Sequence, residues 1–292
     1  MSITIFTTPK AFIGQTKIDQ YNAIISWKKF APTAQIILVG DDYGTDACSK
    51  DLDVEHIKNC SVNELGTPFL DSIFLKAQEK SNFNILMYIN ADIVFTHSIN
   101  NMMGALINEV PVKKNFLVTG QRHDIDEKFQ LSIDQSSSEI KNSLCTIKNN
   151  SKIHGPAGLD YFVFRKHSFL LPSFLIGRPC WDNWLLWHCY NEEFLIINAT
   201  NIFKILHQNH DYSHSKNGGK GRVLGQEWDY NVKVAGGYGH QENLKCHTHY
   251  FEQSSVISKS KLRLLLYKVY ASLFGNTLLA LIRYTRYRFI NR

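Results

Sequence analysis

"LMYINADIVF" (residues 86–95) begins and ends as a buried strand does, with Leu86, Met87, Tyr88 and Ile89 on one side and Ile93, Val94 and Phe95 on the other. Between them stand Asn90 and Asp92. A carboxylate in such a run is costly to bury unless it is paired, hydrogen-bonded or bound to a metal. The plain alternative is that Asp92 caps a helix beginning near "THSINNMMGAL" (96–106), and taken alone the segment favours that cap.

The chain before it alternates strand-like and helix-like stretches. "ITIFTT" (3–8) is rich in β-formers and stops before Pro9; "IDQYNAIISWKKFAP" (18–32) spaces its apolar residues as a helix does; "AQIILVG" (34–40) reads as a buried strand closed by Gly40. A turn-rich "DDYGTD" (41–46), a helical "PFLDSIFLKAQEKS" (68–81) and then "NILMYINADIVF" (84–95) follow. Apolar strands alternating with helices predict an α/β fold, with a mostly parallel sheet covered on both faces. Ligands of such sheets bind beyond the carboxyl ends of the strands, where Thr7, Thr8, Asp41, Asp42, Asn90 and Asp92 fall.

The second half is less regular. Residues 122–153 are polar, include "DQSSSEIKNS" (134–143), and read as a flexible surface excursion. "GLDYFVFRK" (158–166) reads as a strand returning to the core, and residues 172–193 as aromatic and then helical.

Composition bounds the partners. At 292 residues and 44% apolar, the chain can bury one large core. The net charge of +6 is uneven: residues 253–292 hold eight of the 32 Lys and Arg and none of the 26 Asp and Glu. The body is slightly acidic, which argues against nucleic acid as a partner. Six scattered cysteines without C-x-x-C spacing, and an N-terminus "MSITIFTTPK" without a basic-then-apolar layout, lead us to expect a reduced, cytoplasmic protein.

In this order of elements the sequence resembles the nucleotide-sugar-dependent glycosyltransferases of the GT-A fold. The likeness is carried by "IFTTPK" (5–10) as first strand and loop, "ILVGDDYGTD" (37–46) as the nucleotide-facing strand end, "GTPFLDSIFLKA" (66–77) as loop and helix, and "YINADIVF" (88–95). It covers residues 3–250 and is most specific over the first hundred. In that family the last strand usually ends in Asp-x-Asp, whose carboxylates hold a divalent metal against the donor diphosphate. Here Asn90-Ala91-Asp92 stands in that place, so an amide replaces the first carboxylate.

The resemblance implies a GT-A-like catalytic domain over 1–252, with a nucleotide-binding half (1–110) and an acceptor half (111–252). It implies that Thr7, Thr8, Lys10, Asp41, Asp42, Thr67, Asn90, Asp92 and Trp181 contact the nucleotide-sugar. The metal, Mn2+ or Mg2+, would be held by Asp92 with Asn90 and by a histidine from the C-terminal part, His207 first because it follows "NIFKIL" (201–206), then His210. Oxygen ligands suit such a cation, which neutralises the charge developing on a diphosphate leaving group.

Asp182 in "GRPCWDNWLLWHC" (177–189) is the expected base of an inverting enzyme, and capping of the following helix would not exclude that role. Its neighbours Trp181 and Trp184 could offer faces to a sugar ring. Asp160 in "GLDYF" is the rival base. "SKNGGKGRVLGQE" (215–227), with Lys216, Lys220 and Arg222, suits a lid over a diphosphate or a plain solvated loop. Residues 253–292 form a basic amphipathic tail whose longest uncharged run, 269–282, is too short to span a bilayer; it is expected to lie on an anionic membrane surface.

The sequence thus reads as a cytoplasmic glycosyltransferase, peripheral on the inner membrane face, that moves a sugar from a nucleotide-diphosphate-sugar to a hydroxyl of a glycan or lipid-linked acceptor. A sugar nucleotidyltransferase is a weaker reading, since "TTPKAFIGQTK" (7–17) has one glycine where a Gly-rich loop would be needed. A non-catalytic GT-A-like membrane-binding protein is the third.

Overall fold

The computed structural model describes residues 3–209 and 225–270. His210, the Lys216, Lys220 and Arg222 of the expected lid, and residues 271–292 of the tail lie outside the described residues.

The first half runs β1 (Thr4–Thr7), α1 (Gly14–Phe30), β2 (Gln35–Val39), α2 (Thr45–Asp51), β3 (Glu55–Ile57), α3 (Leu70–Lys80), β4 (Ile85–Ile89), β5 (Ile93–Phe95) and α4 (Asn100–Glu109). The second runs β6 (Phe116–Thr119), β7 (His123–Ile125), α5 (Ser137–Asn150), β8 (Lys152–Ile153), β9 (Tyr161–Arg165), α6 (Trp181–Asn191), β10 (Leu195–Asn198), β11 (Ile205–Gln208), α7 (Gln226–Val234), β12 (His249–Glu252), β13 (Ser255–Ser258) and α8 (Lys261–Tyr270).

Among the described residues, nine strands make a large sheet in the order β13-β12-β10-β6-β9-β4-β1-β2-β3. β1 pairs in parallel with β2 and β4, and β6 with β10, while β9 runs antiparallel between β4 and β6. The expected α/β fold with a mostly parallel, doubly covered sheet is what forms. Alternate residues of each central strand enter opposite cores, as the two-residue strand period requires. Met87 and Ile89 of β4 join Ile5, Leu38 and Val163 beneath α1, α4 and α5, whereas Leu86 and Tyr88 join Phe6, Val39 and Phe164 beneath α3 and α6.

A second sheet, β5-β11-β7-β8, grows from the same edge. Here the reading of 84–95 as one strand is corrected. The run is two strands in two sheets, β4 and β5, and Asn90-Ala91-Asp92 is the break between them, closed by a bond from Ile93 N–H to the Asn90 carbonyl (3.2 Å). Polar side chains end one strand and free the next to pair elsewhere.

Helix α1 anchors the small sheet with polar groups that would otherwise be out of place in a core. The Trp27 indole N–H donates to the Ile93 carbonyl (2.8 Å), and Ser26 Oγ accepts from Phe95 N–H (2.9 Å). Asn22 donates to Gln208 Oε1 (2.8 Å), and Gln208 in turn donates to the Asp19 and Asp92 carbonyls (2.8 and 3.1 Å). These bonds fix the backbone on either side of Asp92 and next to His207.

Two further expectations change. Residues 122–153, read as a flexible surface excursion, carry β7, α5 and β8, and α5 starts in a capping box in which Ser136 and Glu139 satisfy each other's backbone N–H groups. The tail does not begin at 253, because β13 pairs with β12 at the edge of the large sheet; α8 begins at Lys261.

Candidate active site at the carboxyl edge of the large sheet

The two sheets part at residues 90–92, 120–124 and 154–160, and a ring of polar side chains lines the parting. Asn90 follows β4. Its Oδ1 accepts from the Tyr88 hydroxyl (3.0 Å) and its Nδ2 donates to Asp160 Oδ1 (2.7 Å). Asp160, 4% exposed at the entry to β9, also accepts from Arg122 Nη1 at both oxygens (2.9 and 2.7 Å). Arg122 Nε donates to Asp124 Oδ1 (2.8 Å), and Asp124 Oδ2 lies 2.6 Å from His154 Nδ1.

His207 and Asp92 complete the ring. His207 stands inside β11, not after a strand, and is 6% exposed. Its Nε2 lies 3.8 Å from Asp92 Oδ2, while its Nδ1 faces Asp124 Oδ1 (3.4 Å) and Asn209 Oδ1 (3.1 Å).

The electrostatics follow from this crowding. Burial first, and then the carboxylates of Asp92, Asp160 and Asp182, push the Tyr88 hydroxyl far above its ordinary range, so Tyr88 stays a neutral donor to Asn90. Tyr88 thus lies within electrostatic reach of each of these three carboxylates. Burial opposes ionisation of Asp124, but the His154 hydrogen bond and the Arg122 guanidinium outweigh it and hold the carboxyl below its usual value. A depressed carboxyl pKa stabilises the fold above the unfolded pKa, and that contribution is lost as pH falls through the folded one.

Asp182 is the second residue of α6, where its Oδ1 accepts from Asn183 N–H (2.9 Å). Asn183 is itself clamped to Glu242, donating from Nδ2 to its carbonyl (2.8 Å) and accepting from its N–H (2.9 Å). The residue before the helix, Cys180, holds φ +85°, a strained value for a residue with a Cβ.

Two expectations about sugar contacts are corrected. Trp181 is buried, edge-on to Tyr88 and Phe162 with ring centroids 5.3 Å away in each case, and Trp184 packs on Phe174 and His188. Both indoles belong to the core under the sheet, because α6 turns its apolar side inward. Asp160 is not placed as a base: both its oxygens are committed to Arg122 and Asn90. Asn90 likewise uses both side-chain groups on Tyr88 and Asp160.

At the ends of β1 and β2 the Thr7 and Thr8 hydroxyls are buried and make no hydrogen bond in the structure, and a Cβ at Gly40 would meet the Thr8 methyl at 3.5 Å. A buried hydroxyl without a partner is destabilising by about 1–3 kcal/mol. Gln20 pins the Lys10 backbone through both amide groups (2.7 and 2.9 Å), leaving its side chain exposed. Asp41 and Asp42 are exposed on the following loop; partial burial and then the adjacent Asp41 push the Asp42 carboxyl up. Thr67 and Asn63 hydrogen-bond Glu227 of α7, which also accepts from Arg178 Nε (2.8 Å).

Sequence reasoning missed Arg122, Asp124 and His154. The available signal was "QRHDID" (121–126), in which Arg122 and Asp124 alternate as residues on one face of a strand do. Gly120 before them is also constrained, since a Cβ there would lie 2.5 Å from the Tyr161 hydroxyl and 2.9 Å from the Thr200 nitrogen.

Whether a divalent cation fits can be judged from Asp92 and His207. Among the described residues no three His, Cys, Asp or Glu side chains gather as a complete metal cage. Mg2+-type sites, however, use one or two protein ligands and take the remaining oxygens from substrate phosphates and water, with bonds of about 2.1 Å, so two ligands stand at most about 4.2 Å apart. Neighbouring octahedral ligands stand about 3.0 Å apart, so Asp92 Oδ2 and His207 Nε2, at 3.8 Å, would hold such an ion after closing by about 0.8 Å.

No protein-family model and no curated protein matches the chain. Among solved structures, glucosyl-3-phosphoglycerate synthase from Mycobacterium tuberculosis in complex with Mn2+, uridine diphosphate and phosphoglyceric acid is similar, with a TM-score of 0.47, 11% identity, and coverage of 81% of this chain and 79% of that one. The complex of that enzyme with Mg2+ and uridine diphosphate gives a TM-score of 0.45 at 11% identity over 81% and 80%. S. aureus TarS gives 0.46 at 8% identity over 71% of this chain and 60% of that one. Likeness at this level does not extend to ligand or reaction.

Proposed function

We propose that the chain is a glycosyltransferase that moves a sugar from a nucleotide-diphosphate-sugar to a hydroxyl. The observation that carries this reading is the facing pair Asp92 Oδ2 and His207 Nε2, 3.8 Å apart at the carboxyl edge of a mostly parallel sheet. The motif resemblance of "ILVGDDYGTD" and "YINADIVF" supports it.

In this scheme Thr8, Asp41 and Asp42 contact the nucleoside, and Thr7 and Lys10 stand beside the phosphates. Asp92 and His207 hold Mn2+ or Mg2+, which when bound offsets the charge of the departing diphosphate. Asn90 takes a positioning role in place of a ligand role, since it ties the end of β4 to Asp160. Asp182, fixed at the start of α6, accepts the acceptor hydroxyl's proton as that oxygen bonds the sugar and the bond to the diphosphate breaks, an inverting displacement.

Asp182→Asn is therefore expected to lower kcat for transfer about 10²- to 10⁴-fold, with affinity for the nucleoside diphosphate unchanged. Transfer to an acceptor and titration with the diphosphate measure the two separately, and an unchanged kcat would remove Asp182 as the base.

A glycan or lipid-linked acceptor at a membrane surface is the second part of the reading. Helix α8 exposes Leu262, Leu265 and Leu266 (65%, 58% and 59%) beside Lys261, Arg263 and Lys268, an apolar strip with basic flanks of the kind that lies on anionic lipid. No helix among the described residues is long and apolar enough to cross a membrane. Removing 261–292, which spares β13, should release the protein from vesicles containing phosphatidylserine while thermal unfolding of the body stays cooperative. Co-sedimentation with such vesicles measures this, and unchanged binding of the shortened chain would refute it.

A further inference from the structure

Asp124 touches three cationic or ionisable groups at once, and the reaction outlined above gives it no task. It lies on β7 directly across from His207 in the parallel pairing with β11. One oxygen accepts from Arg122 Nε (2.8 Å) and faces His207 Nδ1 at 3.4 Å, and the other lies 2.6 Å from His154 Nδ1. Arg122 is immobilised in turn by its two bonds to Asp160 (2.9 and 2.7 Å). The carboxylate therefore has little freedom to turn away from His207.

The second group at His207 Nδ1 is Asn209 Oδ1, at 3.1 Å. The Asn209 amide nitrogen donates to Asp126 Oδ1 (2.8 Å), which fixes its oxygen on the side of the imidazole. Acceptors face both ring nitrogens, but those at Nδ1 are nearer, 3.1 and 3.4 Å against 3.8 Å from Nε2 to Asp92 Oδ2, so the proton of the neutral ring goes to Nδ1 and the lone pair to Nε2. Histidines that bind metals are oriented in this way by a carboxylate or carbonyl on their other nitrogen.

We propose that Asp124, held by the Asp160–Arg122 pair, is the positioning residue that keeps His207 in its Nδ1–H form with Nε2 aimed at Asp92, ready for a divalent cation. The cation half of this rests on the function proposed above; the tautomer half does not.

Two readouts without turnover test it. Long-range proton–nitrogen spectra of the histidine-labelled, metal-free protein, with His207 assigned by loss of its signals in His207→Gln, should show the Nδ1–H pattern. In Asp124→Asn, whose amide can donate to Nδ1 in competition with the Asn209 acceptor, the Nδ1–H share should fall and Nε2–H signals should appear beside it. Electron paramagnetic resonance of free Mn2+ should show affinity falling about 10- to 100-fold in Asp124→Asn and recovering in part in Asp124→Glu. An unaltered tautomer and unaltered Mn2+ affinity in a folded Asp124→Asn would overturn the proposal. Mn2+ binding that is the same in Asp92→Ala and His207→Gln as in the parent would overturn the cation reading and the cation half with it, while the nitrogen spectra still decide the role of Asp124.

Discussion

Asn90→Asp is expected to destabilise the folded protein by about 3 kcal/mol at neutral pH, although it would restore the double carboxylate common in the resembled family. The reason lies at Asp160. Asn90 Nδ2 donates to Asp160 Oδ1 over 2.7 Å, so an Asp at 90 would set two carboxylates against each other where one donor and one acceptor now meet. Arg122 carries one positive charge and already faces two carboxylates, Asp160 and Asp124, so it does not neutralise a third. The new carboxyl would have a raised pKa in the folded state, because charge beside charge favours the protonated form. A group raised on folding supports stability below its unfolded pKa and loses that support as pH rises through the folded value. The deficit should therefore be large at pH 7 and shrink towards pH 4. Thermal unfolding of both proteins across that range measures it, and a variant as stable as the parent at pH 7 would refute the role given to Asn90.

The second large effect falls on Asp92. Asp92→Ala is expected to lower turnover by on the order of 10³-fold and to abolish its dependence on Mn2+, since stabilising a departing diphosphate is worth several kcal/mol. The fold should survive, because it is the backbone carbonyl of residue 92 that bonds Gln208 of β11, which in turn bonds Asp19 and Asn22 of α1. Unfolding temperature within a few degrees of the parent separates loss of the site from loss of the protein. Retained Mn2+-dependent turnover in a folded Asp92→Ala would remove Asp92 from the reaction.

How much of this was legible in the sequence depends on which physics was local. Strands β1 and β2 are short apolar runs bounded by polar residues, and the sequence placed both of them, and the start of β4, within a residue, whereas the end of β4 at Ile89 was read too late. The polar residues that end them marked the carboxyl edge, and thus Asp92. Helix α5 was legible as well, in the Ser136-x-x-Glu139 box, but its polar surface drew attention to composition instead of capping. The break between β4 and β5 was not legible, because Ile93 to Phe95 are as apolar as Ile85 to Ile89 and only pairing with β11 tells the sheets apart. Trp181 shows the same limit: an indole beside a candidate base suits a sugar platform or a core equally, and only the direction of α6 decides for the core. The ring through Arg122, Asp124 and Asp160 joins residues far apart in the chain, so no spacing in the sequence announces it.

The most direct test is the release of nucleoside diphosphate from a panel of nucleotide-diphosphate-sugars, with Mn2+ and with a chelator, by the parent protein and Asp92→Ala side by side. The expected result is release from at least one donor by the parent with Mn2+, suppressed by the chelator and lost in Asp92→Ala. Release from none of them, with no binding of any donor, would contradict the assignment of the chain as a glycosyltransferase.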